Sequence, residues 1–286
     1  MVTNGSSTYR GFSLAAATMA AAASLGLAGA ASAATIYSDN FVQTVGTQMN
    51  GQVVQSSATY AGGTAGATWT GDTNVTTTGT NGAYFGASVN GGPNGTSDLY
   101  LPFAPVAGYN YTLTETLSLG TTTATNNNGW LAAGFAPSPS TATSTGSGGG
   151  YFYNAKADWA LVRPAAGGAP QYFGGPGTAN NGSLGTAADS GTQTLVITLN
   201  TSAAKWTASA MIQGDPSHPS STFTYATNPT ITDVALGAWS DPGTISQFSL
   251  TATSSAVPEP SALFLAAGGA VGAMLLMKRR ARSASR

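Results

Sequence analysis

The residues from Tyr109 to Leu119 alternate without a break: Tyr111, Leu113, Leu117 and Leu119 share one parity, Thr112, Thr114, Thr116 and Ser118 the other. A helix would scatter such a set around its circumference. An extended chain turns one parity to each side and so separates an apolar face from a hydroxylated one. The pattern returns in Leu195, Ile197 and Leu199, and again in Trp206, Ala208, Ala210 and Ile212, with Asn200 to Lys205 between them short enough for a hairpin connection. Further strands are expected over 36–41, 84–89, 99–103, 131–135, 159–163, 234–239 and 245–251. Gly, Pro, Asn and Ser clusters separate these runs, and no long stretch between Ala34 and Ser255 has helical periodicity. Ten to fourteen strands in one unit predict an all-β fold built as a two-sheet sandwich rather than a small barrel. The segments 121–129, 137–150 and 165–191 read as long loops of Thr, Ser, Asn, Ala and Gly.

Charge limits what such a sandwich can do. Only 7% of the chain is charged, and five of its nine basic residues lie in the last nine positions. Apart from Arg10 near the start, Lys156, Arg163 and Lys205 alone face nine acidic residues, a net charge of −6 over the middle of the chain. That excludes the basic footprint needed to hold nucleic acid phosphates. Cysteine is absent, which removes disulfides, thiolate nucleophiles and cysteine metal sites.

Both ends read as addresses. A polar lead containing Arg10 precedes an apolar stretch from about Leu14 to Ala30 and the small-residue site Ala31-Ser32-Ala33, the order of a secretory signal, with cleavage expected between Ala33 and Ala34. Residues 1–33 would then be removed by signal peptidase after passage through the Sec translocon, leaving an ectodomain over 34–255. At the other end, residues 256–286 combine Val257-Pro258-Glu259-Pro260, an uncharged run reaching Met277, and a basic end that includes Lys278, Arg279, Arg280 and Arg282. A helix over Ala262 to Met277 rises about 24 Å, short of the roughly 30 Å hydrocarbon core, a shortfall that basic flanks and local thinning can cover. The basic end predicts a cytoplasmic side and places the ectodomain outside. Gly268 and Gly272 have the spacing of a close-packing helix pair.

This tail resembles the PEP-CTERM sorting signal of Gram-negative bacteria. The resemblance implies recognition by an exosortase, a membrane-embedded cysteine transpeptidase, with processing near Pro258-Glu259-Pro260 and transfer of the domain outward to the cell surface or extracellular space. It also implies bacteria that make exopolysaccharide. The two prolines would keep the motif extended and accessible.

The order of landmarks in the middle resembles PEP-CTERM ectodomains with a concanavalin A-like, laminin-G-like jelly roll. The matching pieces are Ser38-Asp39-Asn40-Phe41, Leu101-Pro102-Phe103, Gly108 to Leu113, Trp130 to Phe135, Leu195 to Trp206, and Ile245 to Leu250. Related sugar-cleaving sandwiches pair carboxylates on one strand, whereas Glu115 is the single glutamate between the two addresses. Its parity puts it with Leu113 and Leu117. An exposed strand end, a partner among Lys156, Arg163 and Lys205, or a groove opening at that end of the face would each spare it an unpaired burial. His218, the sole histidine, sits between Pro216 and Pro219 and reads as a loop residue. Trp69 and Trp130 are the tryptophans least committed to a core and, with Glu115, are the candidate glycan-binding residues. Trp159 and Trp206 read as core. Asp39 and Asp241, with Asn40, are candidate oxygen ligands for a structural calcium; no other cofactor is expected. Asn-x-Ser/Thr triplets at Asn74, Asn94, Asn181 and Asn200 read as chance in so Ser/Thr-rich a chain.

These readings describe an exported, non-enzymatic surface or matrix protein, with an exopolysaccharide-binding module as the alternative and a glycoside hydrolase as a distant third. Mass spectrometry of the protein released by its host should find an N-terminus at Ala34 and no peptides spanning Ser255 to Arg286. Intact tail peptides in the extracellular fraction would contradict the sorting reading.

Overall fold

The computed structural model describes residues 32–85, 96–119, 129–137, 158–163, 169–174, 181–185, 191–214, 220–239 and 243–255. Alternation decides the centre of the molecule. Strand β7 (Tyr109–Leu119) buries every second residue from Tyr111 to Leu119 and is paired along its length on both sides. Its neighbours are β12 (Gly191–Asn200) and β16 (Gly243–Ser254). Beyond β16 lie β1 (Ala34–Asp39) and β2 (Ser56–Ser57). Beyond β12 lie β13 (Thr207–Ile212) and β14 (Ser221–Thr224). The short strands β4 (Val75–Thr77) and β5 (Ala83–Phe85) complete this nine-stranded sheet, β4 pairing with β5 and β5 with β16.

The second sheet has seven strands in the order β11 (Asn181–Ser183), β10 (Gln171–Gly174), β9 (Asp158–Val162), β8 (Trp130–Ala136), β15 (Asp233–Trp239), β6 (Thr96–Pro102), β3 (Thr70–Gly71). Among the described residues the strand pairs are antiparallel, and the two sheets face each other as a jelly-roll sandwich, all within one compact unit, Ser32–Ser255. The expected hairpin is present: β12 and β13 pair from Asn200 opposite Thr207. The segment 165–191, read as loop, contains β10 and β11, whose runs are too short for alternation to register. The signal segment and sorting tail lie outside the described residues.

The core fills the space between the sheets. Phe248, Leu250 and Leu113 from one sheet share a cluster with Leu99, Leu236 and Phe135 from the other. Two β-bulges adjust the parity. Ile245 and Phe248 both turn inward although three residues apart, because the register shifts between Ile245 and Gln247, where the Ser246 hydroxyl donates to the Thr116 carbonyl. A similar shift between Thr35 and Tyr37 lets Ile36 and Tyr37 both be buried.

Polar ties hold the layers together. The Tyr37 hydroxyl donates to the Pro102 carbonyl at 2.6 Å, linking β1 to the end of β6, and accepts from the Thr64 N–H. Tyr111 folds its hydroxyl back on Val106, accepting from its N–H at 2.8 Å and donating to its carbonyl at 3.1 Å. Trp69, read above as a candidate sugar platform, is fully buried instead. It packs edge-on against Phe248 at 5.1 Å and donates its indole N–H to Asp39 Oδ2 at 2.8 Å. The other oxygen of Asp39 accepts from the Phe41 N–H at 2.8 Å. Asp39 is thus a buried acceptor for two core donors and not an accessible calcium ligand.

Removing the indole donor would take from that carboxyl the hydrogen bond to its Oδ2 at 2.8 Å. Trp69→Phe should destabilise the domain by about 2 kcal/mol, read as a lower urea midpoint with an unchanged slope. A sugar-platform role would instead leave the midpoint in place.

Candidate functional site

Three strands of the seven-stranded sheet are apolar at both parities. Trp130-Leu131-Ala132-Ala133-Gly134-Phe135-Ala136 is buried throughout, as is Asp158–Val162, and β15 is buried up to its last residue. Such runs belong to strands covered on both faces. One parity joins the core; the other builds a second apolar cluster on the outer side, made of Trp130, Ala132, Ala136, Trp159, Leu161, Phe173 and Ala235, with Tyr100 and Trp239 packed partly exposed against it.

Cross-strand register orders this face. Tyr100, Ala235, Gly134, Trp159 and Phe173 lie in one row. Gly134 is required there, since a Cβ would come within 2.5 Å of the Trp159 Cβ and of the Asp158 carbonyl oxygen. The Trp159 ring stacks on Phe173 with centroids 4.3 Å apart and an 18° tilt, and Trp130 leans on Trp159 at 5.9 Å. Towards β6 and β15 the floor is small: Ala132, Gly134, Ala136, Ala235 and Gly237.

The half-exposed rings Tyr100 and Trp239 stand over this floor. Trp239 is four residues along β15 from Ala235, the register partner of Tyr100, which separates the two rings by about 13 Å along the strand direction. Asp98 lies between them, opposite Gly237, and Asp233 lies beyond Tyr100, opposite Pro102. Burial and the nearby carboxylates of Asp72, Asp233 and Asp98 all raise the Tyr100 hydroxyl pKa. Burial also raises Asp72, whose Oδ2 accepts from the Asp98 N–H at 2.9 Å. Asp233 is pushed up to about 6 by burial, against a hydrogen bond from the Thr232 hydroxyl at 2.7 Å. The two half-exposed rings can offer flat faces to a ligand with C–H groups, while Asp98 and Asp233 beneath them are buried, at 5% and 6% exposed.

The residues singled out from sequence are dispersed. Trp130 belongs to the outer face but is only 4% exposed, so it supports the other rings and presents no platform of its own. Glu115 is neither at an exposed strand end nor paired. It sits mid-strand between Phe248 and Leu195, with no exposed surface and no hydrogen-bond partner for either oxygen. Of its proposed partners, Arg163 donates to Gln171 and Lys205 is exposed, while Lys156 lies outside the described residues. Asp241, His218, Val257, Pro258, Glu259, Pro260 and the basic end also lie outside them. Among the described residues no group of three or more acidic, histidine or cysteine side chains is placed to hold a metal ion. Trp159, read as core packing, is buried as expected but in the second cluster, and Tyr100, not singled out, packs partly exposed against that cluster. The signal for it was the apolar character of both parities in 130–136 and 158–162.

No protein-family model matches the sequence, and no curated protein matches it. Solved structures do resemble the fold. An endo-1,3-beta-glucanase from Streptomyces sioyaensis is 13% identical over 78% of this chain and 97% of its own, with a TM-score of 0.49. The metal-free carbohydrate recognition domain of Emp46p is 15% identical over 64% of this chain and 87% of its own, with a TM-score of 0.47. Basic winged bean lectin with Tn-antigen is 15% identical over 78% and 99%, with a TM-score of 0.46. At these identities the likeness is one of architecture.

Burial pushes Glu115 up to about 8, so the folded protein keeps its proton where the unfolded chain, near 4.5, has lost it. The stability this group contributes is therefore full below about pH 4.5 and is lost as pH rises towards 8, at no more than about 1.4 kcal/mol per pH unit. Glu115→Gln should raise the melting temperature at pH 8, change it little at pH 4.5, and flatten the pH profile between them. A parallel profile in the variant would mean that Glu115 does not carry the slope.

Proposed function

We propose that the chain is an exported, non-enzymatic surface or matrix protein, released at the cell surface by an exosortase acting on Val257-Pro258-Glu259-Pro260, and that its sandwich binds an extracellular polysaccharide. The observation that carries the binding role is the pair of half-exposed rings, Tyr100 and Trp239, about 13 Å apart along the strand direction over a floor of Ala and Gly, with Asp98 between them. Sugar rings offer apolar C–H faces to such rings. Export and sorting rest on the ordered zones at the two ends of the sequence, with the Sec translocon, signal peptidase, exosortase and membrane as partners.

The non-enzymatic reading is supported by the placement of the acids. Glycoside hydrolysis uses two carboxyl groups about 5–9.5 Å apart on either side of the scissile bond. Glu115 is enclosed in the core, Asp98 and Asp233 are offset by four residues in register, about 13 Å along the strands, and Asp72, the acid beside Asp98, is half-buried and held by the Asp98 N–H.

Retention of the full-length protein on the exopolysaccharide of its host tests the binding role. Tyr100→Ala and Trp239→Ala should each weaken it at least tenfold, about 1.4 kcal/mol, while Thr114→Ala on the opposite sheet leaves it unchanged. Equal retention of all three variants, or none by the parent, would remove the outer face from consideration.

A further inference from the structure

Among the described residues, the charged side chains on β6, β15 and the adjoining end of β3 are Asp72, Asp98 and Asp233, all acidic. Asp98 lies two residues from Tyr100 on the same face of β6. Asp233 lies diagonally across from Tyr100 on β15, two residues from its register partner Ala235. Neighbours so placed are about 7–8 Å apart. Asp72 follows β3, where its N–H donates to the Asp98 carbonyl at 2.9 Å and its Oδ2 accepts from the Asp98 N–H at 2.9 Å. Gly71 permits that approach: its φ is +151°, and a Cβ there would collide with the Asp98 carbonyl oxygen.

The basic residues lie elsewhere. Arg163 follows β9, two strands from β15, and donates to Gln171; Lys205 is exposed in the connection between β12 and β13 of the other sheet; Lys156 lies outside the described residues. Tyr100 responds to the field of the three acids. Its phenolate would be an anion at the edge of a binding ring, and burial, then the charges of Asp72, Asp233 and Asp98, oppose its formation. A ligand carboxylate brought to the same ring meets the same charges, two of them on buried groups that salt screens poorly. An uncharged, hydroxylated ligand does not. Ring spacing adds a second restriction: Tyr100 and Trp239 stand about 13 Å apart along the strands, further than one sugar ring reaches, so only linked sugars cover both.

Building on the binding role given above, we propose that this face selects uncharged polysaccharide chains over carboxylated ones, with the chain laid along β6 and β15 so that Tyr100 and Trp239 stack on different sugars. Asp72, Asp98 and Asp233 set the selectivity through their field.

Retention of the full-length protein on two derivatives of its host's exopolysaccharide tests this. The polymer is first carboxyl-reduced, then lightly carboxymethylated or, to the same degree, hydroxyethylated, so that the two forms match in bulk and differ in charge. At about pH 7.5 Asp233, pushed up to about 6 by burial, is ionised. The parent should be held at least about tenfold more weakly on the carboxymethyl form. In the double variant Asp72→Asn/Asp233→Asn, whose amide oxygens can still accept from the Asp98 N–H and the Thr232 hydroxyl, that gap should shrink at least about threefold. Asp189→Asn/Asp215→Asn, which removes the same charge from the connections β11–β12 and β13–β14, should leave the gap in place. Equal retention on both forms, or tighter retention on the carboxymethyl one, would overturn the selectivity while leaving the binding face standing. A gap that closes equally in both double variants would assign the effect to net charge and overturn it too. Retention that Trp239→Ala weakens on neither form would remove the face itself, and the selectivity with it.

Discussion

Strand β7 is bonded along its length to β12 on one side and β16 on the other, and its side chains alternate strictly between core and surface. A slip of one residue in either pairing would turn Leu113 and Leu117 outward and bring Thr114 and Thr116 into the core. The register of the whole nine-stranded sheet therefore follows from this one strand. β12 and β16 align their own apolar parity to it, and β13 and β1 align to them. The two bulges, at Ser246 and Ile36, lie where the apolar pattern of the partner is out of step and an extra residue restores it.

The same constraint explains Glu115. Its position on the apolar parity of a strand held on both edges leaves its side chain no route to solvent. Asp158 is enclosed in the same way on the opposing sheet, and burial pushes both up to about 8. With so few basic residues to offer as partners, this interior accommodates acids by keeping them protonated. Asp39 follows a different course: two core donors meet its oxygens, although burial still raises its pKa.

The sequence made the fold legible wherever an alternating or a continuously apolar run extended for five residues or more. Strands β7, β8, β9, β12, β13, β15 and β16 follow the runs read from Tyr109, Leu131, Trp159, Leu195, Trp206, Val234 and Ile245, with ends differing by up to three residues. Strands β2, β3, β10 and β11, at two to four residues, exist through pairing with longer neighbours and leave no local period. The functional residues were harder to read for a related reason. Trp69 follows a Gly-rich turn and so looked unconstrained, but a long-range hydrogen bond to Asp39, thirty residues away, places it in the core. Trp159 shared its strand with apolar residues of both parities, and that doubling marked a second buried face rather than deeper burial in the first.

The two outer faces of the sandwich differ in chemistry. Thr112, Thr114, Thr116, Thr194, Thr198 and Thr251 coat the nine-stranded sheet, and hydroxyls evenly spread on a solvated sheet give a ligand no ring to stack on. Aromatic rings and carboxyl groups gather on the other sheet. The chain enters and leaves the sandwich through the hydroxylated one: Ala34 pairs with Ala252, and β1 and β16 are neighbours. Strands β6, β8, β9, β10 and β15, which carry the aromatic face, bear neither end of the domain. Cutting or tethering the chain beyond Ser255 therefore involves none of the strands that position Tyr100 and Trp239. Sorting and binding can then proceed on one domain without competing for the same strands, and the two roles proposed for this chain are mechanically independent.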